Sequence, residues 1–216
     1  MIISVSRRTD IPAFYAEWFY NRLRAGYVLV RNPMNVHNVS KVALSPEVVD
    51  AFVFWTKNPL PLMKCLDELA EYPYYFQFTL TGYGKDIEPG LPDKKQVLLP
   101  AFKELAAKTG RQRVIWRYDP IFFSSRYSME YHLECFEALA AELSGSTERC
   151  VISFMYEYRN TKRNAQKIAA VSYSNKEIYA FAARLAKIAG KYGLKLQTCA
   201  ETADFTELGI TASACI

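Results

Sequence analysis

The chain has 216 residues, half of them hydrophobic and 14% aromatic, with 27 basic and 22 acidic side chains for a net charge of +5. That length and apolar content suit one folded domain with a sizeable core and exclude wholesale disorder. The small positive excess permits an anionic ligand without calling for nucleic acid.

The opening "MIISVSRR" has an apolar stretch too short for a secretory signal. The longest apolar runs, such as "AFVFW", are too short to span a membrane, so a cytoplasmic location is expected. The five cysteines, Cys65, Cys135, Cys150, Cys199 and Cys215, include no Cys-x-x-Cys pair. No zinc ribbon or complete iron–sulfur loop is therefore legible, and five reduced thiols, mostly buried, are expected. With only His37 and His132 present, a histidine-rich metal site is not expected.

Strand-like and helix-like stretches alternate along the chain. "IISVS" (2–6) reads as a buried strand. "PAFYAEWFYNRLRAG" (12–26) reads as a helix stopped by Gly26, with Phe14, Trp18, Phe19 and Leu23 at helical spacing. Its aromatic stripe, Phe14, Trp18 and Phe19, is expected in the core. "YVLVRN" (27–32) and "VSKVAL" (39–44) suggest a hairpin. "AFVFWTKN" (51–58) is a core strand, "PLMKCLDELAEY" (61–72) a helix and "YYFQFTLTGY" (74–83) a strand. A long Pro/Gly-rich loop covers 82–95. "LPAFKELAAKTG" (99–110) is helical, "RVIWRYDP" (113–120) a strand and "MEYHLECFEALAAEL" (129–143) an amphipathic helix. "CVISFMYEY" (150–158) is a strand. The basic, polar stretch 157–175 reads as a flap or a plain surface loop. "NKEIYAFAARLAKIAGKYG" (175–193) is a long helix capped by Ser174 or Asn175. "LKLQTCAE" (194–201) and "ITASACI" (210–216) close the series as strands.

Such alternation predicts a parallel sheet with helices outside it, in one domain over residues 1–216. A (β/α) barrel resembling a TIM barrel, complete or distorted, is the expected fold, with a doubly wound open sheet as the alternative. No Gly-x-Gly-x-x-Gly follows the first strand, which argues against a dinucleotide-binding sheet.

One pattern recurs where the strands end. The first ends in Ser6, Arg7, Arg8, Thr9 and Asp10, and the next core strand in Thr56, Lys57 and Asn58. Later strands end in Thr79, Thr81 and Tyr83, in Arg117, Tyr118 and Asp119, in Tyr156, Glu157 and Tyr158, and in Gln197, Thr198, Cys199 and Glu201. In a parallel barrel these ends share the face that carries active sites. Arg7, Arg8, Lys57 and Arg117 suit a phosphate or carboxylate. Asp119 and Glu201 suit general acid–base work, or contacts to hydroxyls or an amine. The tyrosines suit stacking on a planar ring. The expected binding residues are Arg7, Arg8, Asp10, Thr56, Lys57, Arg117, Tyr118 and Cys199, with Asp119 and Glu201 catalytic. Plainer roles stay open: a cap for Asp10, a turn for Lys57 and Asn58, and an ion pair for Arg117, whose candidate partners are Asp10, Asp119 and Glu201.

The blocks "SVSRRTDIPAFY", "VFWTKNP", "FQFTLTGYG", "WRYDPI" and "QTCAE", spread over residues 4–201, resemble the signature of a bacterial family, domain of unknown function 1848. The resemblance implies no particular reaction. It does imply that longer members carry a C-terminal cysteine cluster similar to the [4Fe–4S] loop of radical S-adenosylmethionine enzymes, which also use full or partial barrels. This sequence contains none of those closely spaced cysteines. The resulting expectation is a barrel that binds a small anionic, nucleotide-like molecule. It would support S-adenosylmethionine radical chemistry where the cluster is present. The alternatives are a nucleic-acid-binding module and a cofactor-independent acid–base hydrolase or lyase.

Overall fold

The computed structural model describes residues 1–5, 8–155 and 169–213, arranged in two compact units, Met1–Phe78 and Thr79–Ile216. No helix among the described residues is long and apolar enough to cross a membrane.

In Met1–Phe78, strand β1 (Ile2–Val5) is followed by helices α1 (Ile11–Phe14) and α2 (Ala16–Ala25). Next come β2 (Tyr27–Arg31), β3 (Val39–Ala43), β4 (Ala51–Thr56), the short helix α3 (Leu60–Met63) and β5 (Tyr74–Thr79). β1 pairs parallel with β4, and β4 parallel with β5. β2 and β3 form the expected antiparallel hairpin. Phe52, Val53 and Phe54 of β4 are fully buried, and Phe19 of α2 meets Phe52 and Phe54 edge-on at 5.5 and 5.3 Å. Edge-to-face rings of this kind add to the burial of their apolar surface.

Two expectations are corrected in this unit. The helix expected over 12–26 breaks at Tyr15, whose φ of −134° is not helical. The second segment buries Ala16, Phe19, Tyr20 and Leu23, spaced i, i+3, i+4 and i+7. Trp18 falls off that face at 44% exposure and Phe14 lies at 71%, so only Phe19 of the aromatic stripe is core. The helix expected over 61–72 is reduced to α3 and a 3₁₀ turn at Leu66–Leu69, because Cys65 (φ −131°) interrupts it.

In Thr79–Ile216, a single turn of π-helix (Lys94–Leu98) runs into α4 (Leu99–Thr109). β6 (Val114–Ile121), α5 (Met129–Leu143), β7 (Arg149–Phe154), α6 (Asn175–Lys191), β8 (Lys195–Cys199) and β9 (Thr211–Ser213) follow. β6, β7, β8 and β9 pair in that order, all parallel. The α/β class and the parallel strands are as expected. β9 has one strand neighbour, β8, and β1 likewise has only β4 among the described residues, so neither unit closes a barrel by itself.

Side-chain alternation divides β6 between two environments. Trp116 stacks on Phe136 of α5 at 4.9 Å, and Tyr118 meets the same ring edge-on at 5.3 Å. Arg117 and Asp119 alternate with them and project from the other face. α6 starts with a complete capping box in which Ser174 Oγ accepts from Glu177 N and the Glu177 carboxylate accepts from Ser174 N. The two reciprocal bonds satisfy donors that would otherwise be orphaned at the helix start.

Gly82 is where the chain leaving Thr79 passes α5. A Cβ there would lie 2.8 Å from Cys135 Cβ and 3.2 Å from Tyr118 Oη. Gly82→Ala must push α5 outward, and a loss of about 1–3 kcal/mol is expected from overpacking. Urea unfolding checks this, and an unchanged midpoint would mean that α5 packs less tightly than described.

Candidate functional site

In Met1–Phe78 one carboxylate joins the exits of two parallel strands. Asp10 Oδ1 accepts from Ala13 N at 3.0 Å and caps α1. Its Oδ2 accepts from Thr56 Oγ1 at 3.1 Å and Lys57 N at 2.7 Å. The structure thus brings together Asp10, Thr56 and Lys57, three of the residues singled out in sequence, and gives Asp10 the capping role as well. Burial raises the Asp10 carboxyl above its ordinary range, against hydrogen bonds from Lys57 N, Thr56 and Ala13 that lower it. Arg8 does not join them. It is exposed and donates from Nη2 to the carbonyl of Arg31 on the hairpin at 3.2 Å. Arg7 lies outside the described residues.

In Thr79–Ile216 three neighbouring strands meet in a second polar cluster. Arg117 donates from Nε to Asp119 Oδ1 at 2.9 Å and from Nη2 to Asp119 Oδ2, a two-point ion pair. The side chains are only 7% and 11% exposed. On β7, Ser153 Oγ lies 3.4 Å from Asp119 Oδ2. The next residue, Phe154, donates its N–H to Glu201 Oε1 at 2.6 Å. Glu201 follows β8 through Ala200, which holds φ +57°. A left-handed alanine costs on the order of 1 kcal/mol and is kept only where its surroundings enforce it. Here that turn aims the carboxylate at the end of β7. Among the partners considered in sequence for Arg117, the structure selects Asp119.

Other expected residues stand elsewhere. Tyr118 points away from Arg117 and Asp119, toward α5, and is buried. Tyr83 packs on Phe122 at 4.5 Å, and its hydroxyl accepts from Phe122 N and donates to the Pro120 carbonyl, both at 2.9 Å. It therefore braces the turn after β6. Cys65, Cys135 and Cys150 are free thiols as expected, whereas Cys199 is disulfide-bonded rather than reduced. Tyr156, Glu157, Tyr158 and most of the expected flap lie outside the described residues.

Two polar groups were given no structural role in the sequence, His132 being named there only as one of two histidines. His132 on α5 is fully buried, with Nδ1 2.9 Å from Tyr118 Oη and Nε2 2.9 Å from the Phe122 carbonyl. A carbonyl can only accept, so Nε2 carries the proton and Nδ1 accepts from the tyrosine. Lys94 reaches into the 82–95 loop, pairing with Glu88 and donating to the carbonyls of Thr81 at 2.9 Å and Tyr83 at 2.6 Å. Thr81 Oγ1 donates to the same glutamate at 2.9 Å, so this long loop is pinned from inside. A lone histidine at a helical core position and a lysine in a Pro/Gly-rich loop were the only signals for either.

These features define a parallel α/β protein with charged and hydroxyl side chains gathered where its strands end. The chain belongs to the DUF1848 family, a domain of unknown function whose model matches residues 2–216. No curated protein matches it. Among solved structures it is similar to that of a "putative alpha-L-fucosidase from Bacteroides thetaiotaomicron", at 12% identity and a TM-score of 0.35, over 94% of this chain and 74% of that one.

Proposed function

We propose that this DUF1848 protein binds a small anionic molecule, with Arg117, Asp119 and Glu201 forming the polar end of the site in Thr79–Ile216. The observation that carries the reading is that two carboxylates, Asp119 (paired with the buried Arg117) and Glu201, reach consecutive residues, Ser153 and Phe154, at the end of β7. Parallel α/β folds place their ligands at the C-terminal ends of strands, and a buried ion pair there is a costly feature for a fold to retain without a use. In this reading Arg117 recognises a phosphate or carboxylate, Asp119 holds the guanidinium in place, and Glu201 serves as the acid or base. The strands then form part of a (β/α) barrel whose mouth is the binding face. Asp10, Thr56 and Lys57 mark the corresponding strand ends of Met1–Phe78.

The family resemblance implies a [4Fe–4S] cluster and S-adenosylmethionine in longer members. Among the described residues no group of three or more His, Cys, Asp and Glu side chains is placed to hold a metal ion. The described residues therefore do not fit a cluster.

Calorimetric titration with adenosine 5′-monophosphate and with inorganic phosphate tests the proposal. Both are expected to bind and to compete. The paired replacement Arg117→Met with Asp119→Leu is expected to weaken both roughly tenfold or more, the loss of about one charge-assisted contact. Tight binding that survives the double replacement would overturn this site, as would no binding of either probe at millimolar concentration.

A further inference from the structure

Thr79–Ile216 contains a cavity of about 320 Å³ to which the charged cluster contributes Phe154 but neither Arg117, Asp119 nor Glu201. Its walls come from the turn after β6, the end of β7, the first turns of α6 and the segment after β8. The size lies at the small end of the range for ligand pockets, about 300–1,000 Å³.

Two aromatic groups line the cavity. Phe123 meets Tyr173 edge-on at 5.0 Å. Tyr179 stacks on Phe205 at 5.9 Å, and Phe205 packs against Phe154 at 6.2 Å. Ile178 and Met155 fill between them. The segment that carries Tyr173 is fixed to β6's exit by an antiparallel bridge, Val171 N to the Phe123 carbonyl at 2.8 Å. This wall is therefore tied to the sheet through the backbone.

Among the described residues no Asp, Glu, Lys, Arg or His lines the cavity, and Ser172 and Asn175 are the polar members there apart from the tyrosine hydroxyls. Asn175 is the first residue of α6, whose amide end favours an oxygen acceptor. Within that same first turn, the Glu177 carboxylate is held against Ser174 N and Oγ at 2.8 and 2.7 Å. A fixed negative charge there opposes an anion.

From the aromatic walls, the volume and the charge pattern we infer that this cavity is a binding site for a small uncharged aromatic molecule. Aromatic walls suit a flat ring through offset and edge-on contacts. The described lining offers no charge to pair an ionised group, which would be desolvated there. The inference does not depend on the Arg117–Asp119 proposal, because neither residue lines the cavity.

The experiment titrates the full chain with N-phenyl-1-naphthylamine, which is neutral, and with 8-anilinonaphthalene-1-sulfonate, which carries a sulfonate on the same ring skeleton. The neutral probe is expected to brighten saturably with one site per chain. The sulfonate is expected to bind roughly tenfold or more weakly, as expected when one charge must be desolvated without a partner. Ala203→Trp, at an exposed lining position, is expected to block the cavity and abolish the neutral probe's signal. In the unmodified protein, methyl NMR shifts on adding the probe are expected at Met155 and Ile178, which keeps the test independent of whether the variant folds. The Arg117→Met/Asp119→Leu protein is expected to bind the neutral probe unchanged. No saturable binding, equal affinity for the two probes, or shifts that avoid Met155 and Ile178 would each overturn the inference.

Discussion

Arg117→Met is expected to lower the stability of the protein by about 3–5 kcal/mol, whereas Arg117→Met combined with Asp119→Leu is expected to recover most of that loss. The single change leaves the Asp119 carboxylate only 11% exposed and without its two-point partner. Its solvation was surrendered on folding, and nothing of equal strength replaces the guanidinium. The double change removes both members of this ion pair and fills the space with apolar atoms, so neither is left buried without the other. Urea unfolding followed by circular dichroism measures both. If the single variant unfolds at the parent midpoint, the pair is solvated and the convergence at the end of β7 is not a buried one. The comparison also gives the binding experiment a folded protein without the pair.

The second large effect is on pH dependence. Burial pushes the His132 imidazole down from 6.5 to about 4. Above pH 6.5 the residue is neutral folded and unfolded, and its contribution is whole. Between 6.5 and about 4 only the unfolded chain takes the proton, so stability falls as the pH falls. Below that both states are protonated and the loss is complete. At about 1.4 kcal/mol per pH unit, the window is worth about 3 kcal/mol, and about 2 of that should be lost between pH 6.5 and 5. Replacing the hydrogen-bonded pair together, His132→Leu with Tyr118→Phe, is expected to flatten the slope without orphaning the tyrosine hydroxyl. A slope that persists in the double variant would mean that another group titrates.

Much of the fold is legible residue by residue. The helix over 175–191 is announced by Ser174 and Glu177 at capping-box spacing and by Phe181, Ala182, Leu185 and Ala189 on one face. Those signals are local, and local physics decides them. The aromatic stripe in the first helix misleads for the opposite reason. Spacing alone puts Phe14, Trp18 and Phe19 on a common face only if the helix is continuous. The break at Tyr15 rotates the face and leaves Phe14 and Trp18 outside.

The candidate site divides in the same way. That polar residues gather where strands end is visible in the sequence, because apolar runs stop at the same point in strand after strand. Period-two alternation even separates Arg117 and Asp119 from Tyr118. Which of Asp10, Asp119 and Glu201 would meet Arg117 is not visible. Ion pairing depends on a few ångströms of register between strands, and the sequence carries no term for that distance.

By itself, then, the sequence determined the α/β class, the parallel strands, the cap region of the helix over 175–191 and the polar character of the strand ends. Each follows from periodicity, capping chemistry and the cost of burying charge within short spans of chain. Only the tertiary structure decided the two-point Arg117–Asp119 pair, the aim of Glu201 at Phe154, the buried His132–Tyr118 bond and the aromatic cavity beside α6. Three of the four join residues 14 to 84 positions apart, and the fourth, the pair two residues apart on β6, is buried by neighbouring strands. Packing between distant segments sets those distances, and a one-dimensional pattern does not encode them.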